Sequence, residues 1–424
     1  MCFTTLPPEL QEEIIIDLEK PDLYSLCLVS KSLLHLARPL LYRSVELHLD
    51  SWQRAQEDVA RDMWMSCDGE EDAVEFMDKA KADFEGREYH RNKLIKTFEA
   101  HQDWKKFVQK VTIDFNVSAE GSSQASQLGR LLSSCPNLRT LAINSAYHNA
   151  TGSFLLQHTP PSLRSLDFEY SQLPAEFILR LLNKLPLVEI LSLADDKTEG
   201  LFPLVPNQSI PRLDRLRSLT LSHPFRGPSF FSAITSSTNS LSTLSADFIA
   251  VQALLPERLS TLTTLSIFGR FEPSYTRYGD YPKDLASNLI RVFKGCQSLR
   301  YLKIAFADPY GRSSVVSTFQ TSKILHHLPQ TLQTLVLKSL DFSKEYLLDF
   351  LSSSHKRLSQ FDCSRLSEGG DDLLELLGPT SFDEEGEDKI EENCEARGIR
   401  LSWIGGRVKG QCDRGLSLSG LHRM

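Results

Sequence analysis

Apolar positions follow a period-two rhythm through most of this chain. The spacing L-x-x-L-x-L recurs, with substitutions, at Leu138-Leu141-Ile143, Leu163-Leu166-Phe168, Val188-Leu191-Leu193, Leu216-Leu219-Leu221 and Leu241-Leu244-Ala246. It continues at Leu262-Leu265-Ile267, Leu299-Leu302-Ile304, Leu332-Leu335-Leu337 and Leu358-Phe361-Cys363. A fainter copy, Val108-Val111-Ile113, opens the series, and Ile399-Leu401-Trp403 is placed to close it. Alternation of this kind predicts a short strand in each copy. Helical spacing (i, i+3, i+4) precedes several of them, in the segments beginning at Leu128, Phe177, Asn288 and Tyr346. A helix–strand unit of roughly 25 residues cannot bury its own apolar face. Stacking about ten of them makes one core, so the pattern predicts an α/β solenoid: a curved parallel sheet with outer helices.

A different pattern occupies residues 6–41. Pro7 and Pro8 stand where a first helical turn tolerates a missing N–H. Leu10, Ile14 and Leu18 then form one stripe at helical spacing. Pro21 is expected to break that helix and Asp22 to cap a second, carrying Leu23, Leu26 and Val29. Ser30 can cap a third, with Leu33, Leu36, Ala37 and Leu40 on its apolar side and Pro39 disturbing its last turn. Three helices in about 40 residues carry more apolar surface than they can hide alone, which implies a partner.

These residues resemble an F-box: Leu6-Pro7-Pro8-Glu9-Leu10, Ile14, Leu18, then Leu26-Cys27-Leu28-Val29-Ser30-Lys31, Leu36-Ala37 and Pro39-Leu40-Leu41-Tyr42. The ending LARPLLYRSV is similar to the fungal style of that motif. The resemblance implies docking to the Skp adaptor of a Skp–cullin–F-box ubiquitin ligase, with Leu6, Pro7, Leu10, Ile14, Leu18, Leu26, Val29 and Leu36 as the adaptor-binding residues. The ladder resembles leucine-rich-repeat proteins, which bind other proteins on the sheet face. Together they imply a non-catalytic substrate-recognition subunit that recruits a target for ubiquitination and proteasomal degradation. The alternative is an F-box/leucine-rich-repeat scaffold in a Skp-only complex without ubiquitination.

The expected layout is an F-box at 1–42, a first strand and charged, partly mobile linker at 43–107, repeats at 108–404 and a flexible tail at 405–424. The linker carries an acidic run, Asp68 to Asp72, expected as a mobile loop beside one or two helices. A net charge of −8 argues against nucleic-acid or anionic-membrane partners. Without an apolar run of about 18 residues no membrane span is expected, and no secretory signal is evident. The eight cysteines are dispersed without a C-x-x-C pair and read as reduced thiols, several in the core, in a cytoplasmic or nuclear protein.

Catalytic and cofactor motifs are missing. There is no H-E-x-x-H, G-x-S-x-G, Walker loop or G-x-G-x-x-G. The expectation is therefore no catalytic residue, no metal and no cofactor. His326-His327 read as one surface and one buried histidine rather than metal ligands, because adjacent helical residues point apart.

Residues alternating with the buried leucines are expected on the concave sheet face. An acidic early part includes Asp167 and Glu169. Later strands bring Phe268, Tyr301 and Lys303, and two long loops follow, GRFEPSYTRYGDYPK from Gly269 and FADPYGR from Phe306. Tyrosine and arginine give large contact area at low conformational cost. Phe268, Arg270, Phe271, Tyr275, Arg277, Tyr278, Tyr281, Tyr301, Lys303 and Tyr310 are thus the candidates for holding an unknown target protein.

Overall fold

The structure, a computed structural model, describes residues 6–50, 70–116, 123–144, 149–169, 173, 175–194, 212–222, 231, 234–252, 254, 256–270, 285–307, 324–338, 344–353, 357–362 and 384–402. The chain forms two compact units, Met1–Thr261 and Leu262–Met424.

The first unit opens with three helices, α1 (Pro8–Ile16), α2 (Lys20–Val29) and α3 (Lys31–Leu41). The helix α2 starts before Pro21, not after it. Glu19 is its N-cap and Asp22 lies in its first turn, because a proline there forfeits only an N–H with no helical partner. Ser30 caps α3 as expected, its hydroxyl accepting from Leu33 N at 3.2 Å. The helix α3 continues through Pro39 to Leu41. A small core of Ile15, Leu23 and Ala37 holds the three together, with Leu18, Leu26, Cys27, Leu36, Leu40 and Leu41 packed against it.

Strand β1 (Ser44–Asp50) comes next and pairs in parallel with β2 (Lys110–Asn116). Between them runs α4, one helix of 31 residues from Glu70 to Ala100. It includes Glu70, Glu71 and Asp72, which the acidic run suggested as part of a loop. The ladder continues as α5 (Ser123–Ser134), β3 (Thr140–Asn144), α6 (Asn149–His158), β4 (Ser165–Glu169), α7 (Ala175–Lys184) and β5 (Ile190–Ala194). It ends in this unit with β6 (Ser218–Ser222), β7 (Thr243–Asp247), α8 (Phe248–Gln252) and α9 (Pro256–Leu259). The pairings β1 to β7 are all parallel and in chain order.

The second unit repeats the scheme with β8 (Thr264–Arg270), α10 (Leu285–Gly295), β9 (Tyr301–Ala307), β10 (Thr334–Lys338), α11 (Lys344–Ser353), β11 (Gln360–Asp362), α12 (Glu384–Ala396) and β12 (Arg400–Ser402). Its strands too are parallel and sequential. Two residues past the end of α12 the chain turns at Gly398, whose φ of 66° only glycine adopts without strain; Ile399 N then reaches back to Cys394 O at 2.8 Å.

The register explains the leucine spacing. Leu141, Leu166, Leu191, Leu219 and Leu244 stand side by side across β3 to β7, and Leu265, Leu302, Leu335 and Phe361 across β8 to β11, all fully buried. The leucine three positions earlier, as in Leu138, Leu163, Leu216 and Leu299, is buried in the turn before each strand. One backbone device recurs at that turn. The carbonyl before each strand accepts from two successive N–H groups of the next repeat: Arg139 O from Arg164 and Ser165, Arg164 O from Glu189 and Ile190, Arg300 O from Gln333 and Thr334. Each of these turns is thereby satisfied by its neighbour, as stacked repeats require. The architecture is an α/β solenoid of leucine-rich-repeat type.

One packing contact is tight enough to test. Gly129 on α5 leaves room for the His158 ring of α6, and a Cβ there would come within 2.6 Å of it. The ring also lies 5.0 Å from Phe154 and has Ser133 Oγ at 3.4 Å from Nδ1. Gly129→Ala is expected to gain less in the native chain than alanine's helix preference offers, because the half-buried His158 ring must swing aside. With His158→Ala already present, the same change should stabilise by about 1 kcal/mol. Urea melts of the four chains in this cycle check it; equal effects in both backgrounds would remove the contact. Burial, and secondarily Lys184, holds the His158 pKa below its ordinary 6.5. The unfolded chain therefore takes up this proton more readily. The contribution of neutral His158 is present above the unfolded pKa and is lost as pH falls through the folded one.

Candidate functional site

Two surfaces are built from the residues that the sequence singled out. The first lies on α1 and α2. Helix α1 carries Ile14, Ile15 and Ile16 in succession, and only Ile15 turns into the core. Leu10, Ile14 and Ile16 are 46%, 50% and 52% exposed, and on α2 Tyr24, Leu28 and Val29 reach 57%, 71% and 71%. Pro7 is also exposed and Leu6 half-buried, its carbonyl accepting from Gln11 Nε2 at 2.6 Å. Leu18, Leu26 and Leu36, from the same predicted set, pack instead against the module's own core. The candidates thus separate into outward residues (Pro7, Leu10, Ile14, Val29) and supporting ones. Ile16, Tyr24 and Leu28 join the outward group; the helical stripe of Leu10, Ile14 and Leu18 does not include them.

Contacts within the first unit fix this module to the sheet and to α4. Tyr42, at the end of α3, meets Phe98 of α4 edge-on at 5.6 Å and Trp104 at 5.1 Å. The Arg38 guanidinium lies 4.6 Å from the centre of the Trp104 ring, and His101 stacks on the same indole at 4.2 Å. Lys20 Nζ reaches Glu46 Oε1 on β1 at 3.3 Å, an exposed pair of small weight. The aromatics of the joining segment are therefore a clasp between module and sheet, worth about 0.5–1.5 kcal/mol per ring pair beyond their burial.

The second surface is the open face of the sheet in the second unit. Tyr301 lies in register between Thr264 and Thr334, and Lys303 between Ser266 and Val336, with Asp362 one strand further on. Phe268 stands opposite Ala305. Phe268, Tyr301 and Lys303 are half-buried, so these three predicted residues share one face. Burial, then the Asp362 carboxylate, raises the Tyr301 pKa, so its phenol stays a neutral hydrogen-bonding group. Arg270 ends β8. Phe271, Tyr275, Arg277, Tyr278, Tyr281 and Tyr310 lie outside the described residues. On the open face in the first unit, Ile190 is 48% exposed between Ser165 and Ser218, an apolar contact point that the leucine spacing does not single out.

Other candidates separate cleanly. His326 and His327 are both exposed, rather than one surface and one buried, and His326 Nε2 lies 4.0 Å from Asp349 Oδ2. Among the described residues no cluster of three metal-ligating side chains occurs. No described helix is long and apolar enough to cross a membrane. Cys135, Cys296 and Cys394 are buried, and burial pushes their thiols up to about 11, about 12 and about 11. At neutral pH they are protonated and poorly nucleophilic. A thiol reagent at pH 7 should leave all three unmodified in the folded chain and label them in urea; fast labelling of the native protein, read by mass spectrometry, would contradict this burial.

No protein-family model matches the chain, and no curated protein matches it. Among solved structures it is similar to the Rad7–Elc1 complex of yeast, at 15% identity over 66% of this chain and 70% of that one, with a TM-score of 0.40. It is also similar to LegL7, a leucine-rich-repeat-containing protein of Legionella pneumophila, at 14% identity over 70% and 83% with a TM-score of 0.38. A third is the TLR13–ssRNA13 complex, at 18% identity over 61% of this chain and 40% of that one, TM-score 0.30. The repeat architecture stands on the strand registers themselves.

Proposed function

We propose that this chain is the substrate-recognition subunit of a Skp–cullin–F-box ubiquitin ligase, with α1–α3 as the F-box and the repeat face holding a target. One observation carries the reading. Of the ten large hydrophobics exposed among the described residues, six lie between Leu10 and Val29. A small helical module that turns these side chains outward, at the positions of an F-box-like sequence, has the surface a helical adaptor would cover. Desolvating each such side chain fully is worth about 1.5–3 kcal/mol. The target would meet the open sheet face, where Phe268, Tyr301 and Lys303 stand together.

The chain would contribute no catalytic group. Ubiquitin transfer would be accelerated by proximity, the target lysine being held near ubiquitin carried by another subunit. The clasp of Tyr42, Phe98 and Trp104 holds the module within the first unit. Co-purification of the full chain followed by mass spectrometry tests the reading. Recovery of a Skp-type adaptor together with a cullin is the expected result. Adaptor without cullin would replace it by the Skp-only scaffold, and recovery of neither would remove it.

A further inference from the structure

The residue before each strand of the first unit lies at one edge of its sheet. Four of these are arginines, Arg43, Arg139, Arg164 and Arg217, and Lys110 begins β2 beside them. All five are exposed. Glu189 is the acid in this row, and it pairs with Arg164 at 3.1 Å. Arg43, Arg139 and Arg217 form no ion pair among the described residues.

Their positions are set by the fold. Leu138, Leu163 and Leu216 are buried immediately before Arg139, Arg164 and Arg217, and the turn that joins each leucine to its strand leaves the arginine exposed. The carbonyls of all four arginines accept paired N–H bonds from the next repeat, which pins their backbones. At the other end of the strands the charge reverses: Asp50 closes β1, Asp247 closes β7, and Asp114 lies late in β2. A chain with a net charge of −8 thus gathers cations along one sheet edge.

We propose that this arginine row docks an extended acidic segment of a partner protein, laid across the strands with its acid groups on the guanidiniums. At ~4.8 Å between strands, the five intervals from Arg43 to Arg217 span roughly 24 Å, the length of about seven extended residues. Guanidinium forks suit carboxylate or phosphate groups at such spacing, and their fixed backbones lower the ordering cost of binding. A long nucleic acid is the poorer fit, because it would run from this edge onto a protein of net negative charge. The proposal rests on the sheet alone and stands whether or not α1–α3 engage an adaptor.

Fluorescence anisotropy with the full chain tests it, using a labelled octapeptide of alternating Asp and Glu, its Asn/Gln counterpart and a phosphoserine version. The acidic peptide should bind and the amide peptide should not. Replacing Arg139, Arg164 and Arg217 by Glu should weaken binding about tenfold or more, while Lys79→Glu, Lys81→Glu and Lys96→Glu on α4, an equal change in net charge, should alter it less than about twofold. The Arg→Gln triple variant, which adds no acid to the edge, must rank the same way. Binding of either acidic peptide with this arginine dependence supports the strip, and the tighter of the two identifies carboxylate or phosphate as its ligand. Equal losses in the edge and α4 variants, no peptide binding, or tighter binding of a single-stranded oligonucleotide of equal charge would overturn it.

Discussion

Leu219→Ala and Leu335→Ala should each destabilise the unit that contains them by about 2–5 kcal/mol. Leu219 is fully buried at the centre of β6, in register with Leu191 and Leu244; Leu335 holds the same place in β10 between Leu302 and Phe361. Each truncation opens a cavity within a stack of apolar side chains, and repeats on both sides are held too firmly to close it. Thr220, one residue along, faces the other way between Ser192 and Ser245, so Thr220→Ala should stay within about 0.5 kcal/mol. Val336 is the instructive neighbour. Period-two alternation puts it on the open face, where an alanine should be harmless, yet it is only 7% exposed between Lys303 and Asp362. That burial makes the truncation costly, and Val336→Ala should lose about 1–2 kcal/mol. Urea melts, with the transitions of the two units resolved, give all four values. A Thr220→Ala loss matching that of Leu219→Ala would reverse the register.

The ladder could be read from sequence because each repeat obeys a local rule. Leu138, Leu141 and Ile143 alternate within one strand, and the buried face follows from that alternation alone. The helices beginning near Leu128, Phe177, Asn288 and Tyr346 were legible for the same reason. The joining segment obeys no such rule. Helix α4 is charged along most of its length, and its buried residues, Arg91, Ile95 and Phe98, cluster near one end. No stripe marks it as a single helix. Phe98 and Trp104 find Tyr42 across more than fifty residues of chain, a contact that tertiary structure alone reveals. The exposed apolar face of α1 and α2 was half legible. Helical spacing found Leu10, Ile14 and Val29, but it grouped them with Leu18, Leu26 and Leu36, which serve the module's core. Spacing reports that residues share a helix face; a core of three helices in contact decides which of them remain outside.

That division supplies the sharpest test of adaptor docking. Ile14 and Val29 are exposed and add nothing to the core of Ile15, Leu23 and Ala37. Ile14→Ala with Val29→Ala should leave the melting temperature unchanged and weaken capture of a purified Skp-type adaptor at least about thirtyfold, the ~2 kcal/mol expected on truncating a buried interface anchor. Leu6→Ala with Pro7→Ala should act in the same direction. The Leu6 carbonyl that receives Gln11 Nε2 belongs to the backbone and survives the change. Leu26→Ala is the contrasting variant: it should lower both adaptor affinity and the stability of the first unit, because its side chain supports α2 from within. Calorimetric titration gives affinity, and circular dichroism gives the melt on the same samples. Full adaptor affinity in the Ile14/Val29 variant, with the fold intact, would detach the exposed face of α1 and α2 from adaptor binding. Loss of affinity only in step with loss of structure would assign these helices to the stability of the unit alone.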